Sequence, residues 1–423
     1  MSTVQSQNNR RPSRRAVLTA ALSAAAPLML PSGVLARQGR PGASDRVVTA
    51  HIGLGPRGRR LLGLLRDNAA ALCDPDAHRA RDAAQGLRGP LRLYTDYRRV
   101  LDRSDIDAVV ICTPDHWHAV QAVHAIEAGK DVYLDAPLAK TPEGIRAVVD
   151  AAARYGAVVQ CGLDGRWTPA VHAVRSRANG MANVRCYGEQ NAAGGDLADQ
   201  RPVPEHLNWD LWLGPAPWRP YNPGRIHGNW RWLFDYGGGN LNYQGVYALD
   251  TALWCVGNTE TGPVHIEAHG PPPRGGLWEC PETMEVRYRF EASGLAIDWI
   301  QQPPANDTPP FGVVFQGAEE EVVLRRADAG ATSNGLAGQE PADNDAVPAV
   351  KQGIREWLDC IASRKRPSAN PDAAARSARL CALGNLAWRL GRPLRWNETT
   401  GALEDDPGAT RLLHSPRRPP WGL

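Results

Sequence analysis

The eight cysteines form no CxxC pair, and no cysteine or histidine set falls at metal-ligand spacing. That removes zinc-ribbon and dithiol redox chemistry from consideration. Cys73, Cys112 and Cys161 sit inside apolar, strand-like runs and read as small buried hydrophobes. A basic stripe of the kind nucleic acid demands is also missing. Residues 1–36 hold four Arg and no acid, so the formal +3 is theirs; the remainder carries 44 basic against 45 acidic side chains, a net of −1. Nor is there an apolar run fit to span a bilayer, because AVLTAALSAAAPLML (16–30) is too short and too poor in bulky side chains. What is present is a globular composition, 43% hydrophobic and 22% charged, on 423 residues, enough for two domains with separate cores. Fourteen Trp supply broad amphipathic rings that suit sugar or subunit faces as well as a core.

Ser13-Arg14-Arg15-Ala16-Val17-Leu18 opens a twin-arginine (Tat) export signal, and Val34-Leu35-Ala36 supplies a small-residue cleavage site. Residues 1–36 are therefore set aside as a signal peptide, a retained membrane anchor being the alternative. Tat passengers cross the membrane folded, so a cofactor bound in the cytoplasm travels with its protein. The expected location is the periplasm, and the Tat machinery is an expected partner.

Val47–Ile52 reads as a strand running into Gly53-Leu54-Gly55-Pro56-Arg57-Gly58, and a helical pattern at Leu61, Leu62, Leu64 and Leu65 comes next. Strand, GxGxxG and helix in that order mark a dinucleotide-binding turn. Gly53 permits the tight turn, Gly55 lets a pyrophosphate approach, and Gly58 lets helix and strand pack closely. The phosphates would rest on the free N–H groups at the helix start, with Pro56 and Arg57 beside them. A second strand, Ala69–Cys73, ends at Asp74, placed to accept hydrogen bonds from the adenosine ribose and to repel a 2′-phosphate. That favours NAD over NADP, although Arg79 lies close behind; the Asp-Pro-Asp turn is the other use for Asp74. Asp107–Cys112 is a buried parallel strand leading to Thr113-Pro114-Asp115-His116-Trp117-His118 and a helix that stops at Gly129. Asp131–Leu134 then leads to Asp135-Ala136-Pro137. Both loops fall at strand C-termini, where ligands bind in such sheets. His116-x-His118 lacks a third ligand, so no metal is expected.

GLGPRG, AVVICTPDHWHAVQAVHAIEAGKDVYLDAPLAKT and VVQCGLDGRW, then WDLWLGPAPWRPYNP, NWRWLFDYGGGNLNYQGVYALDTALW and RRPPW, resemble in order and spacing the Gfo/Idh/MocA oxidoreductase family, in its exported, sugar-related branch. The resemblance implies an N-terminal Rossmann domain with a doubly wound parallel sheet (37–165). It also implies a C-terminal α+β domain with an open, mainly antiparallel sheet (166–423), and a homo-oligomer built on that sheet. Independently, Met284, Val286, Tyr288 and Phe290 alternate with charged residues at a period of two, and Gly294–Gln302 and Glu319–Arg326 supply further strands.

Two motifs depart from the family pattern. Its Glu-Lys-Pro reads Asp135-Ala136-Pro137 here, and a methyl group relays no proton. Lys140 lies four residues on, across a Pro, and is not a substitute. In the second motif Tyr247 replaces the usual His. A phenol, with a pKa near 10, exchanges a proton with a carbinol once neighbours lower it, Arg231 and a cationic nicotinamide being the candidates. The expected catalytic set is Tyr247, with Asp250 or Tyr243 orienting a sugar. Arg166, Arg231 and Trp232 are expected at the substrate. Gly53, Gly55, Pro56, Arg57, Gly58, Asp74, Thr113, Pro114, Trp117, His118, Asp135 and Pro137 are expected around NAD. The expected activity is NAD-dependent oxidation of a sugar or sugar derivative with internally recycled NAD. The alternatives are a catalytically silent sugar-binding or assembly protein, and an NAD-dependent glycosidase that oxidises transiently, whose Tyr-Pro-Thr-His-Gly signature is missing here.

Overall fold

The computed structural model describes residues 46–87, 89, 91–257, 262–301, 311–325, 346–404 and 406–423. The expected export signal and cleavage site lie outside the described residues. Six short strands form the first sheet: β1 (Thr49–Ile52), β2 (Ala69–Cys73), β3 (Arg92–Tyr94), β4 (Ala108–Ile111), β5 (Asp131–Leu134) and β6 (Val159–Cys161). Every pair is parallel, in the order β3-β2-β1-β4-β5-β6. β1, β4 and β5 are buried along their whole length, as continuous apolar runs require when helices cover both faces. The order reverses between β1 and β4, which opens a crevice at their C-terminal ends.

The intervening helices begin and end on local chemistry. Asp76 caps helix Ala77–Ala84 through His78 N and Arg79 N. Thr141 caps Pro142–Tyr155 through Gly144 N, and Gly156, at φ 63°, ends that helix in the left-handed conformation. Helix Asp115–Glu127 is buried on nearly every side, including Val120, Val123 and Ile126, and Gly129 turns the chain at φ 74°.

The second sheet has eight strands: β7 (Asn183–Gly188), β8 (Pro263–His269), β9 (Glu285–Phe290), β10 (Ala296–Gln301), β11 (Gly312–Gln316), β12 (Glu321–Arg325), β13 (Leu394–Asn397) and β14 (Ala402–Leu403). Their order is β12-β11-β7-β10-β9-β8-β13-β14, antiparallel throughout except where β7 and β10 run parallel. Val286, Tyr288 and Phe290 face inward as their alternation foretells, with Arg287 outside. Helices Val246–Cys255 and Pro371–Leu390 cover the inner face. The second of these also packs on helix Pro142–Tyr155 and on β6, so it touches both sheets. Tyr288 Oη donates to Leu380 O at 2.9 Å and fastens it there. The expected boundary at 165/166 falls in the short turn Asp164–Trp167, between β6 and β7. Both sheets lie within one compact unit, Val47–Leu423.

Candidate functional site

A cavity of about 920 Å³ opens at the C-terminal ends of β1, β2, β4 and β5. Its floor begins with the glycine turn. Gly53 has φ +88°, and a Cβ there would stand 2.5 Å from Cys112 O. A Cβ on Gly58 would stand 2.0 Å from Gly53 O, so this glycine serves helix–strand packing and stays out of the cavity wall. Gly55 is different: its Cβ would meet only Arg79 Nη1, at 3.4 Å. Helix Pro56–Leu64 starts from Gly55 with no side-chain cap, and Pro56 brings no N–H of its own. Such a start accepts an anion readily, so the residues present fit a dinucleotide pyrophosphate.

Asp74 stands on the wall of the same cavity. Its Oδ2 accepts from Leu54 N at 2.8 Å and its Oδ1 from Asp76 N at 2.9 Å. It therefore shapes the turn and borders the cavity at once. Burial raises its pKa, and those two backbone bonds oppose the shift.

Arg57 reaches from the glycine turn to the next two loops. Its Nε lies 3.1 Å from Asp135 Oδ1, and its Nη1 lies 2.8 Å from Asp164 Oδ2. Burial works against this cation, but Asp164 and Asp135 more than offset it and hold the guanidinium well above its ordinary value. Burial also raises the Asp164 carboxyl, against the pull of Arg57. Ala136 and Tyr247 line the cavity beside this group. Burial, and after it Asp135, pushes the Tyr247 phenol well above 10, against the pull of Arg57. The protein's own groups thus raise the phenol that was expected to be lowered, by burial first and then by two carboxylates set against one cation. That cation is Arg57 and not Arg231.

The opposite wall is aromatic and polar. Leu241–Gly245 forms a π-helical turn that runs into helix Val246–Cys255. The wider turn places both Tyr243 and Tyr247 on the cavity while Asn242 points inward. Tyr243 is half exposed, with the Arg231 guanidinium 4.2 Å from its ring centroid and 4.7 Å from that of Trp230. Arg231 Nη1 donates to Gly228 O, and its Nε has no hydrogen-bond partner among the described residues. Trp230 and Trp232 complete this wall. Asp235 pairs with Arg219 instead of Arg231.

Several expected site residues act at one remove. Asp250 and Arg166 lie buried and away from the cavity, bound to each other through two bonds of 2.7 and 2.8 Å, so the pair serves the scaffold and faces no sugar. Both assignments are corrected by that pairing. His118 also stays off the wall. Its Nδ1 bonds Pro137 O at 2.7 Å and its Nε2 bonds Thr113 O at 2.9 Å, joining the loops after β4 and β5, and Pro137 takes part only through that carbonyl. Thr113, Pro114, Trp117 and Asp135 do line the cavity, Trp117 while donating its indole N–H to Trp212 O. Cys73 and Cys161 are buried as expected, whereas Cys112 is only half buried because it borders the cavity. Lys140 donates to Phe234 O and Asp235 O and is held down at about 8 by burial; it does not reach the cavity.

Sequence reasoning misses Asp115 and Asp164. Asp115 Oδ2 accepts from Asn242 Nδ2 at 3.1 Å, and burial raises its pKa. Both carboxylates come just after strands of the parallel sheet, the placement that singles out Asp74 and Asp135, so the same rule applied evenly finds them.

Two family models match. One, an oxidoreductase family with an NAD-binding Rossmann fold, covers residues 49–163. The other, the C-terminal alpha/beta domain of the same family, covers 177–292 and 338–423. A glycosyl hydrolase family 109 protein of Shewanella pealeana is 35% identical over 123 residues, 26% of this chain and 27% of that one. Inositol 2-dehydrogenase 4 of Saccharopolyspora erythraea is 37% identical over 112 residues, 26% of this chain and 32% of that one. The chain thus spans about a third or less of the length of these curated relatives. The WlbA dehydrogenase of Chromobacterium violaceum, solved with NADH and UDP-GlcNAcA, superimposes with a TM-score of 0.61 at 17% identity, over 82% of this chain and 95% of that one. Since the two family models together cover most of its length, the chain belongs to the Gfo/Idh/MocA oxidoreductase family.

Proposed function

We propose that the chain is an exported NAD-dependent oxidoreductase acting on a sugar or sugar derivative, with NAD retained and recycled inside the site. The observation that carries this is the continuity of one cavity, from Gly53–Arg57 and Asp74 at one end to Tyr243, Tyr247, Trp230 and Trp232 at the other. Gly53, Gly55, Pro56 and Arg57 would hold the pyrophosphate and Asp74 the ribose. A bound nicotinamide supplies the hydride acceptor. With a cationic nicotinamide beside it to lower its phenol, Tyr247 would take the proton of the reacting hydroxyl, Trp230 and Trp232 would offer flat apolar faces to a sugar ring, and Arg231 stands on the same wall. Ala136 leaves no ammonium in the place of the family lysine, so Arg57 supplies the positive charge there and Tyr247 alone carries the proton.

Export by the Tat route fits a closed redox cycle, because the periplasm offers no soluble NAD pool. A second sugar, or the same one after rearrangement, would take the hydride back. NAD in preference to NADP, and a homo-oligomer built on the second sheet, belong to the same reading. Protein purified from periplasm should carry nucleotide that native mass spectrometry detects, and added NAD with sugar should give no steady NADH absorbance. An empty protein that reduces added NAD steadily would sink the closed cycle; one that binds no nucleotide would leave the silent sugar-binding protein. A second reading, transient oxidation and then aglycone loss, is favoured by the matches to glycosyl hydrolase family 109 proteins. Release of the aglycone from a chromogenic glycoside separates it from the first.

A further inference from the structure

Beyond the Asp74 end of the cavity, Asp76, His78 and His206 present ligand atoms that all lie within 4.8 Å of one another. His206 Nε2 is 3.9 Å from Asp76 Oδ1, and His227 Nε2 is 3.5 Å from Asp76 Oδ2. Tetrahedral zinc with bonds of 2.0–2.1 Å sets neighbouring donor atoms about 3.3 Å apart. The spacing of His206 from Asp76 therefore needs a shift of about 0.6 Å, while His227 stands on the other carboxylate oxygen and outside the group.

The backbone already gathers these donors. Ala77 N donates to His206 O and Asn208 N to Pro75 O, each at 2.9 Å, and Asp76 forms a β-bridge with Leu207. Two chain segments some 130 residues apart are thus held face to face before any ion arrives. Asp76 is buried, and its Oδ1 accepts from His78 N, which fixes the carboxylate in place. The rings of His78 and His206 stack at 3.9 Å with 10° between their planes. Parallel planes do not share one ion, so one ring must turn, and His78, on the exposed side, has room to do so. Imidazole nitrogens with a single carboxylate form a borderline donor set that suits Zn²⁺ better than Ca²⁺ or Mg²⁺.

We propose that Asp76, His78 and His206 bind one zinc ion, which staples the loop after β2 to the segment carrying His206. None of the three borders the cavity, so the site stands or falls apart from the NAD reading. The histidines lie too far apart in sequence for any spacing rule to connect them.

The test uses the full chain, purified without a polyhistidine tag, stripped with chelator and dialysed against Zn²⁺ alone. Elemental analysis should return one zinc per chain. The double variant His78→Ala/His206→Ala should lose at least tenfold in zinc affinity with an unchanged far-ultraviolet circular dichroism spectrum. Co²⁺ added to the stripped wild-type chain should give the intense visible bands of four-coordinate cobalt, a readout independent of any variant's folding. Absence of stoichiometric zinc in the wild type, wild-type affinity in the double variant, or only the pale spectrum of six-coordinate cobalt each overturns the proposal.

Discussion

Replacing Asp250 by Ala separates a scaffold role from a ligand-binding one. The Arg166 and Asp250 side chains keep only 9% and 5% of their exposure, and two bonds of 2.7 and 2.8 Å join them. The remaining guanidinium hydrogen bond is Nη1 to Ser368 O at 2.8 Å, with the Trp254 ring centroid 5.9 Å away. Removing the carboxylate leaves a buried cation hydrogen-bonded to one carbonyl, which costs about 3–5 kcal/mol. Arg166→Met/Asp250→Leu removes the charge altogether. Its loss should shrink to about 1–3 kcal/mol, the desolvation of the abandoned Ser368 carbonyl. The double variant should therefore be more stable than the Asp250→Ala single. Denaturant unfolding at one fixed nucleotide concentration measures all three, because bound ligand would otherwise shift the midpoint. If Asp250→Ala unfolds within about 0.5 kcal/mol of wild type, the range of ordinary surface changes, yet binds sugar more weakly, the carboxylate belongs to the ligand and the pairing argument fails.

Tyr247→Phe should abolish turnover and leave nucleotide affinity nearly intact, since only the proton-transfer group is lost; a fully active variant would disprove its role. Asp74→Ala should weaken NAD binding by about 1–3 kcal/mol, read by calorimetry against NADP, and unchanged affinity for both would reduce Asp74 to a turn former. Acid should destabilise the chain through His51 and His116, both held at about 3 by burial against 6.5 when unfolded. The unfolded chain binds the extra protons, so stability is complete above about pH 6.5 and declines as pH falls toward 3. At pH 5 the loss is about 2 kcal/mol for each ring, and equal unfolding free energies at pH 7 and 5 would contradict it. Arg14→Lys with Arg15→Lys should strand the precursor in the cytoplasm, as fractionation would show, and normal periplasmic delivery would remove the Tat assignment.

The parallel sheet was legible because its signals are local. Ala69–Cys73, Ala108–Ile111 and Asp131–Leu134 are apolar runs bounded by turns, and the glycine spacing marks the turn and helix after β1. Alternation likewise exposed β9. The site was legible only where a motif carries a residue to the cavity wall, as it does Tyr247 and Asp74. Asp250 and Arg166 share one motif-like neighbourhood with the catalytic set, yet they meet across 84 residues, and no local pattern reports that a charge is already taken. The reach of Arg57 to Asp164, across 107 residues, was hidden for the same reason. The π-helical turn at Leu241–Gly245 shifts the face that each side chain presents, which periodicity at 3.6 residues does not anticipate.

The Arg57 fork carries a thermodynamic consequence. Its backbone belongs to the turn that would meet the nucleotide, while its guanidinium is clamped by carboxylates at the ends of β5 and β6, beside Tyr247. A ligand at either end that pulls on this side chain changes the free energy of the other end. Linkage makes the effect reciprocal: whatever factor NAD applies to sugar affinity, sugar applies to NAD affinity. Shortening the fork by Arg57→Ala would uncouple the two binding isotherms even where each ligand still binds.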